Sequence, residues 1–199
     1  SSSSPSLPFI SLVTHCEPAA ARRWFPCFDE PDKKATFTLS IEHPEEINAY
    51  SNTHIEKNST MNGRLFTVFE RTVPLPTYVV ALSVTEQPVV ELNVDGYEFR
   101  GIGIGREMAV KTAVEGYKIV RNESVFYGIP FIPKKTDILI VEDYSSGAME
   151  NPGLITFNRG SIYDIETHTH EFAHMYFGNL VTLRSWNDIW VNEGLATFY

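Results

Sequence analysis

Hydrophobic and polar positions alternate along much of the first half of this 199-residue chain. Residues 35–41 alternate and are rich in β-branched side chains, and residues 64–73 and 77–85 are further apolar segments of strand length. An Asn62-Gly63 pair stands between two apolar stretches and predicts a tight hairpin turn. Short strands interrupted by proline, glycine and asparagine are typical of a β-sandwich.

The pattern changes after about residue 87, where helical spacing enters. The predicted elements are strand and turn at residues 91–105, a helix at 107–127, a buried strand at 136–141, and helices around 170–177 and 187–199. Strands followed by a mixture of helices and strands indicate an α+β fold. We place a soft domain boundary near residue 87.

Composition narrows the class of protein without deciding its function. The chain is 43% hydrophobic and 21% charged, as expected for a globular protein with a core, and its net charge is −9. This acidic balance argues against nucleic acid as a partner, because such binding needs clustered Lys and Arg. Cys16 and Cys27 are interpreted as structural thiols that need not pair with each other. No apolar run is long enough to span a membrane, and the Ser1–Ser4 start lacks the features of a signal peptide.

The sequence does not decide the cellular compartment of the protein. Residues 58–60 and 122–124 are glycosylation sequons, which lean toward an exported protein although either can occur by chance. Membrane-anchored extracellular and cytoplasmic locations are both compatible with the chain.

An H-E-x-x-H sequence at residues 170–174 is the first sign of chemistry. On a helix His170 and His174 lie one turn apart on the same face, so both imidazoles can reach one metal ion. Glu171 can lean over the same ion without binding it, as the general base of a metallopeptidase does. His168 is about 200° around an ideal helix from His170 and is predicted not to be a ligand. The alternative is a pair of partly buried helix histidines with ordinary partners.

Glu193 lies nineteen positions after His174 and supplies the expected third ligand. A catalytic zinc has three protein ligands and one open position, and two histidines with one glutamate are a known set. Alone, Glu193 would be an ordinary solvated helix carboxylate, but with the two histidines it predicts one Zn²⁺ per chain. Zinc lowers the pKa of its bound water to about 7, and Glu171 would take the proton of that water. The sequence therefore predicts zinc-assisted amide hydrolysis.

Further motifs surround these ligands, namely the pentapeptide Gly147-Ala148-Met149-Glu150-Asn151 and the run at residues 21–31. Together with the H-E-x-x-H sequence and Glu193, they resemble the gluzincin zinc aminopeptidases of the membrane alanyl aminopeptidase (aminopeptidase N-like) family. The resemblance implies that residues 1–87 are the C-terminal part of a β-sandwich-like N-terminal domain. Residues 88–199 would then be the N-terminal part of a thermolysin-like α/β catalytic domain.

The resemblance also implies how a peptide is held. Glu150 would bind the free α-amine of the substrate, and Glu17 would share it. The rest of the pentapeptide would line the peptide as an added strand: Gly147, Ala148, Met149 and Asn151. Because a buried ammonium needs anionic partners, these carboxylates favour an exopeptidase that acts on peptides with a free N-terminus. The alternatives are that Glu150 is a polar turn residue and that Glu17 is an ordinary glutamate before a proline.

Two features depart from the family pattern. The tyrosine that stabilises the oxyanion in the family lies outside this sequence, because Tyr199 is too close to Glu193 to be that residue. The run that leads from the pentapeptide to the metal motif is also short, and Thr167 or Thr169 would cap the helix so that His170 falls in its first turn. These departures leave open an alternative, in which the chain is catalytically incomplete and binds peptide N-termini without cleaving them.

Overall fold

A computed structural model of the chain describes residues 11–131 and 133–198. The predictions that concern Ser1–Ser4 and Tyr199 lie outside these residues. The strands are β1 (Ser11–Val13), β2 (Ser40–Pro44), β3 (Asn48–Ser51), β4 (Ile55–Met61), β5 (Arg64–Phe69), β6 (Leu82–Thr85), β7 (Val89–Val94), β8 (Tyr97–Ile102), β9 (Lys135–Val141), β10 (Ala148–Met149) and β11 (Leu154–Asn158). The helices are α1 (Arg106–Tyr127), α2 (Ile165–Ala173) and α3 (Ile189–Phe198), with 3₁₀ turns at Ala21–Arg23, Thr77–Val79, Ser161–Tyr163 and Trp186–Asp188.

Two antiparallel sheets of three strands form the first region of the fold. In one sheet β6 lies between β1 and β3, and in the other β5 lies between β2 and β4. The hairpin between β4 and β5 turns at Asn62 and Gly63, whose φ angles are 55° and 73°. A two-residue hairpin with both φ angles positive is the arrangement that an Asn-Gly pair favours, so the predicted turn is confirmed.

Three strand predictions in this region were wrong in extent. The strand predicted at residues 64–73 ends at Phe69, the last residue of β5. Residues 39, 37 and 35 form backbone hydrogen bonds with residues 69, 72 and 75, respectively. Steps of two residues in one segment therefore face steps of three in the other, which is not the spacing of a regular ladder. The regular ladder of β2 therefore starts only at Ser40. Thr77–Val79 is a 3₁₀ turn rather than the start of a strand. All three residues of this turn are buried, and apolar content alone does not distinguish a buried turn from a buried strand.

A mixed five-stranded sheet forms the second region, in the order β7-β8-β9-β11-β10. The central pairs β8–β9 and β9–β11 are parallel, whereas β7 and β10 pair antiparallel at the two edges. The helix predicted at residues 107–127 and the strand predicted at 136–141 are confirmed as α1 and β9. The α+β class is confirmed as well, and the boundary near residue 87 stays a prediction.

Both faces of the central strands are buried, which joins the two regions. Ile138 and Ile140 of β9 point to the core under α1 and α2, while Leu139 between them packs against Tyr50 and Ala81 of the first region. A strand with helices on one face and a second sheet on the other reads as a continuous apolar run, as residues 138–141 do. This central position fixes β9 and its neighbour β11, and β11 in turn carries the edge strand β10.

Asp164 is the N-cap of α2 and sets where the helix begins. Its carboxylate accepts hydrogen bonds from two backbone N–H groups of the first turn, at 3.2 Å each, and from the Thr167 hydroxyl at 2.6 Å. The prediction that Thr167 or Thr169 caps the helix was therefore wrong, because the aspartate ahead of them already supplies both acceptor oxygens. Since α2 starts at Ile165, His170 lies in the second turn rather than the first.

Two further expectations concern the cysteines and the possibility of a membrane-spanning helix. Cys16 and Cys27 are both free thiols, as predicted. Within residues 11–131 and 133–198, no helix has the length and apolar character needed to cross a bilayer.

Candidate metal centre

The two histidines of the H-E-x-x-H sequence meet at the end of α2. His170 belongs to the helix, and His174 is its C-cap residue. Their Nε2 atoms are 2.9 Å apart, and the ring planes stand at 85° to each other. The helical spacing therefore brings both ring nitrogens to one point in front of the helix.

Helix α3 returns Glu193 to the same point. Its Oε2 lies 3.1 Å from Nε2 of His170 and 3.6 Å from Nε2 of His174. Tetrahedral ligands at the usual zinc distances would be separated by about 3.3 Å. The three observed separations, 2.9, 3.1 and 3.6 Å, bracket that value, so the donor set fits one zinc ion. In the part of the chain that the structure describes, no other group of His, Cys, Asp and Glu side chains has metal-binding spacing.

A contact on the far side of each imidazole holds the ring in place. Nδ1 of His174 lies 2.9 Å from the carbonyl oxygen of Phe177, and Nδ1 of His170 lies 3.2 Å from Oγ1 of Thr197. A proton on Nδ1 of His174 that is donated to this carbonyl leaves Nε2 unprotonated and able to bind a metal. Sequence reasoning missed Thr197, although its place four residues after Glu193 on one helix face was a usable signal.

His170, His174 and Glu193 form part of the wall of a cavity of about 810 Å³. The lining side chains that the structure describes include no lysine or arginine. They include six carboxylates: Glu17, Glu150, Asp164, Glu166, Glu171 and Glu193. A cavity walled by one sign of charge concentrates ions of the opposite sign, here metal cations and ammonium groups.

Glu171 lies between the two histidines in sequence and faces the same cavity. The residue is 5% exposed, and its Oε2 has no hydrogen-bond partner among the described residues. Burial, followed by the negative charge of Glu150, raises the pKa of Glu171 well above its ordinary value. A carboxyl group with these properties can hold a proton near neutral pH, as a general acid–base catalyst must.

The pKa values of Glu193 and His174 show that this part of the cavity favours positive charge. Burial favours the neutral form of Glu193, but the hydrogen bond with His170 and the adjacent imidazole of His174 outweigh this and lower its pKa below the usual range. Burial likewise lowers the pKa of His174, yet the surrounding carboxylates, with Glu150 first, raise it to about 10. A metal dication would supply the same compensation to these carboxylates.

Glu150 and Glu17, the predicted amine-binding pair, line the same cavity as His174 and Glu193. Oε1 of Glu150 lies 3.9 Å from Nδ1 of His174, and within the described residues it has no hydrogen-bond partner. Burial, followed by the charges of Glu150 and Glu193, raises the pKa of Glu17 to about 8. Both carboxylates therefore line the cavity, and each has one oxygen that is not used by other described residues.

The remaining pentapeptide residues occupy an edge of the five-stranded sheet. Ala148 and Met149 form β10, whose place in the sheet order is at the end. Gly147 and Ala148 line the cavity, whereas Met149 and Asn151 are 1% and 2% exposed. The first two residues can therefore border a bound chain, and the other two support the edge strand from inside.

His168 does not join the metal ligands, in agreement with the prediction. It is 2% exposed, and its ring packs edge-on against Phe157 at a centroid distance of 5.0 Å. Its Nδ1 lies 3.7 Å from a carboxylate oxygen of Glu115 on α1, and burial lowers its pKa. This histidine belongs to the packing between α1, α2 and the sheet.

Comparison with known proteins matches two successive parts of the chain to the two domains of one peptidase family. The model of the peptidase M1 N-terminal domain matches residues 8–79, and the model of the peptidase family M1 domain matches residues 113–199. The chain is 35% identical to glutamyl aminopeptidase of Homo sapiens over 94% of its length. It is 38% identical to probable M1 family aminopeptidase 1 of Encephalitozoon cuniculi over 93%, and 36% identical to aminopeptidase M1-A of Oryza sativa over 94%.

The chain spans less than a quarter of the length of each of these three relatives. The three alignments cover 21%, 24% and 23% of the respective proteins. They run over 209, 208 and 206 residues although this chain has 199, so the relatives carry residues that have no counterpart here.

Proposed function

Because this chain belongs to peptidase family M1, we propose that it carries the metal and amine sites of a zinc aminopeptidase, which removes N-terminal residues from peptides. The observation that supports this most directly is the meeting of two functional groups of residues in one cavity. The three-atom cluster of His170, His174 and Glu193 lies beside the buried, unpartnered carboxylates of Glu150 and Glu171. The first group alone would indicate only a metal hydrolase.

One zinc ion per chain is supported by the donor types and their separations. When bound, zinc would supply a Lewis acid for the scissile carbonyl. His170 and His174 would bind through Nε2, since the backbone carbonyl of Phe177 and the hydroxyl of Thr197 occupy the opposite ring nitrogens. Glu193 would complete the set with a carboxylate, whose negative charge the metal dication would stabilise.

Glu171 is proposed as the group that moves the proton. Its carboxylate would accept a proton from the attacking water and later transfer it to the leaving amine. The raised pKa of Glu171 suits the second half of this task, because the carboxyl must keep the proton until the amine departs. Its burial also excludes bulk water, which would otherwise compete for the proton.

Glu150 and Glu17 are proposed to bind the free α-amine of the peptide. An ammonium group brings three N–H donors and a positive charge, and these carboxylates supply buried acceptors with a surplus of negative charge. A peptide segment without a free amine would instead leave these buried carboxylates without a positive partner, which is costly. This explains how the site would act on peptide ends rather than on internal bonds.

The substitution Glu171→Gln tests the proposal in the full-length protein. The amide keeps the shape of the side chain but cannot take a proton, so the release of an aminoacyl chromophore should fall by about 10²–10⁴-fold. Zinc content, measured by elemental analysis, should stay at one per chain. The matched variant Glu107→Gln, at an exposed position of α1, should keep full activity. Zinc binding without any Glu171-dependent turnover would instead favour the alternative, a family member that binds peptide N-termini without cleaving them.

The substitution Glu150→Ala tests the amine site separately. The variant should retain zinc but lose most hydrolysis of substrates with a free amine, because the ammonium loses its buried partner. Charged hydrogen bonds of this kind contribute about 1.5–3 kcal/mol, which corresponds to roughly 10–100-fold in kcat/KM. Loss of zinc in this variant, with free and N-acetylated substrates treated alike, would show that Glu150 supports the metal ligands instead.

A further inference from the structure

Asn52, a buried residue directly after β3, is hydrogen-bonded to the turn that follows Glu150. Its Nδ2 donates to the carbonyl oxygens of Val79 and Pro152, both at 2.9 Å. Its Oδ1 accepts from the backbone N–H of Ala81, also at 2.9 Å, so every polar atom of the amide is used. The backbone of the same residue touches the turn as well, because an added Cβ at position 153 would lie 2.0 Å from the Asn52 carbonyl oxygen.

Lys135, at the start of β9, holds the next residue of the same turn. The side chain is almost fully buried, and its ammonium group donates to the carbonyl oxygens of Ser51 and Gly153 at 2.5 and 2.8 Å. Its third hydrogen bond goes to Oδ2 of Asp137 at 2.5 Å. Arg100 also pairs with both oxygens of Asp137, each at 2.6 Å, so the buried charges are compensated. The ammonium group thus ties the end of β3 to the turn.

The turn matters because Glu150 stands at its beginning. Oε1 of Glu150 is buried and has no hydrogen-bond partner within the described residues, so side-chain contacts do not fix that atom. The backbone of the segment is fixed instead: Asn179 donates to the Glu150 carbonyl oxygen at 2.9 Å, and the carbonyls at positions 152 and 153 are held by Asn52 and Lys135. A shift of this backbone would move the carboxylate relative to His174.

We propose that Asn52 and Lys135 are positioning residues of the amine site. They lock the turn at residues 150–153 to the first region of the fold, so that the Glu150 carboxylate stands where a peptide's α-amine is bound. This inference rests on the proposed role of Glu150. It links recognition of the amine to an interface between the two regions of the fold, a place that does not line the cavity itself.

Asn52→Asp is the sharpest test, because it keeps the shape of the side chain and the acceptor for Ala81. A carboxylate at this position cannot donate to the carbonyls of Val79 and Pro152, so the turn loses its hydrogen bond to residue 52. In full-length protein that carries Glu171→Gln, binding of trialanine should weaken by at least about tenfold, as measured by calorimetry. Binding of N-acetyl-trialanine and the zinc content should not change. Asn48→Asp, the same substitution at an exposed position of β3, should bind trialanine as the parent does.

Lys135→Met provides an independent variant if Asn52→Asp folds poorly. Methionine fills the space of the lysine stem, and Asp137 keeps its bidentate partner Arg100. The same selective loss of trialanine binding is expected. Unchanged binding in a zinc-loaded variant would overturn the inference, and so would parallel loss of zinc and of both peptides, which would indicate a scaffold role only. If the parent protein itself binds the free and acetylated peptides equally, the proposed role of Glu150 fails, and the positioning role falls with it.

Discussion

Two glutamates of the cavity show how local surroundings assign different roles to one residue type. Glu193 lies against two imidazoles, at 3.1 Å from His170 and 3.6 Å from His174, and these neighbours lower its pKa. Glu171 is buried beside other carboxylates and has a raised pKa, which suits proton transfer. Carboxyl groups whose environments push their pKa values apart are a recurrent mark of acid–base sites. At the residue scale, the site therefore depends on neighbours as much as on the motif.

Glu123 on α1 gives a pH-dependent prediction away from the metal centre. It is 9% exposed, its Oε2 has no hydrogen-bond partner in the described part of the chain, and burial raises its pKa from 4.5 to about 7. A carboxyl with a raised folded-state pKa contributes stability at low pH, which is lost as the pH rises from about 4.5 through 7. Glu123→Gln should remove this loss and stabilise the protein by about 1–3 kcal/mol at pH 8.

The measurement for Glu123 is the midpoint of thermal unfolding between pH 5 and pH 8. The difference between the variant and the parent protein should grow with pH and level off above about 7. Glu56→Gln, at an exposed position of β4, serves as the matched control and should follow the parent at every pH. A constant difference across this range would mean that Glu123 has an ordinary pKa.

At the scale of elements, the crossing of α1 and α2 holds the metal motif in place. Gly116 of α1 faces the ring of Phe172, and an added Cβ would lie 2.4 Å from its Cζ atom. Phe172 is fully buried and stands between His170 and His174 in sequence. Only a glycine on α1 lets the two helices approach this closely, and Phe172 then fixes the rotation of α2 about its axis.

Gly116→Ala should therefore destabilise the protein and weaken the metal site together. Alanine favours a helix by about 0.5–1 kcal/mol, but overpacking of a buried contact costs about 1–3 kcal/mol, so a net loss is expected. Unfolding midpoint and zinc affinity should both decrease. Gly160→Ala is the matched control, because a Cβ there meets its nearest neighbour at 3.5 Å and should change neither quantity. Retained zinc affinity in a destabilised Gly116→Ala protein would show that the crossing does not set the ligand geometry.

At the scale of the whole molecule, periodic features could be predicted from the sequence. The apolar spacing of α1, the Asn62-Gly63 turn and the four-residue separation of His170 and His174 each express a local rule, and each is present. Glu193 could be assigned because the two histidines needed a third ligand, and the structure places it within 3.6 Å of both. Local rules work where one element is enough to define the geometry.

Features that depend on distant parts of the chain could not be predicted. The Lys135 ammonium donates to the carbonyls of Ser51 and Gly153, which are 84 and 18 residues away in sequence. No spacing pattern in the sequence predicts such a contact. The same holds for Asn52, whose Pro152 partner is 100 residues away. Strand β11 forms beside β9, and the two-residue strand β10 forms beside β11. A strand of two residues has no period to detect in the sequence.

Removal of the metal tests how far the site is coupled to the stability of the entire fold. The proposed ligands belong to α2, its C-cap residue and α3, so a bound ion would link the end of one helix to the other. With free zinc at 100 times its Kd, binding should stabilise the folded protein by about 2.7 kcal/mol, and a chelator should lower the unfolding midpoint accordingly. His170→Gln should abolish this response. His54→Gln, at a histidine that pairs with Glu98 instead, should leave it intact, and an equal response in both variants would refute metal binding at the cluster.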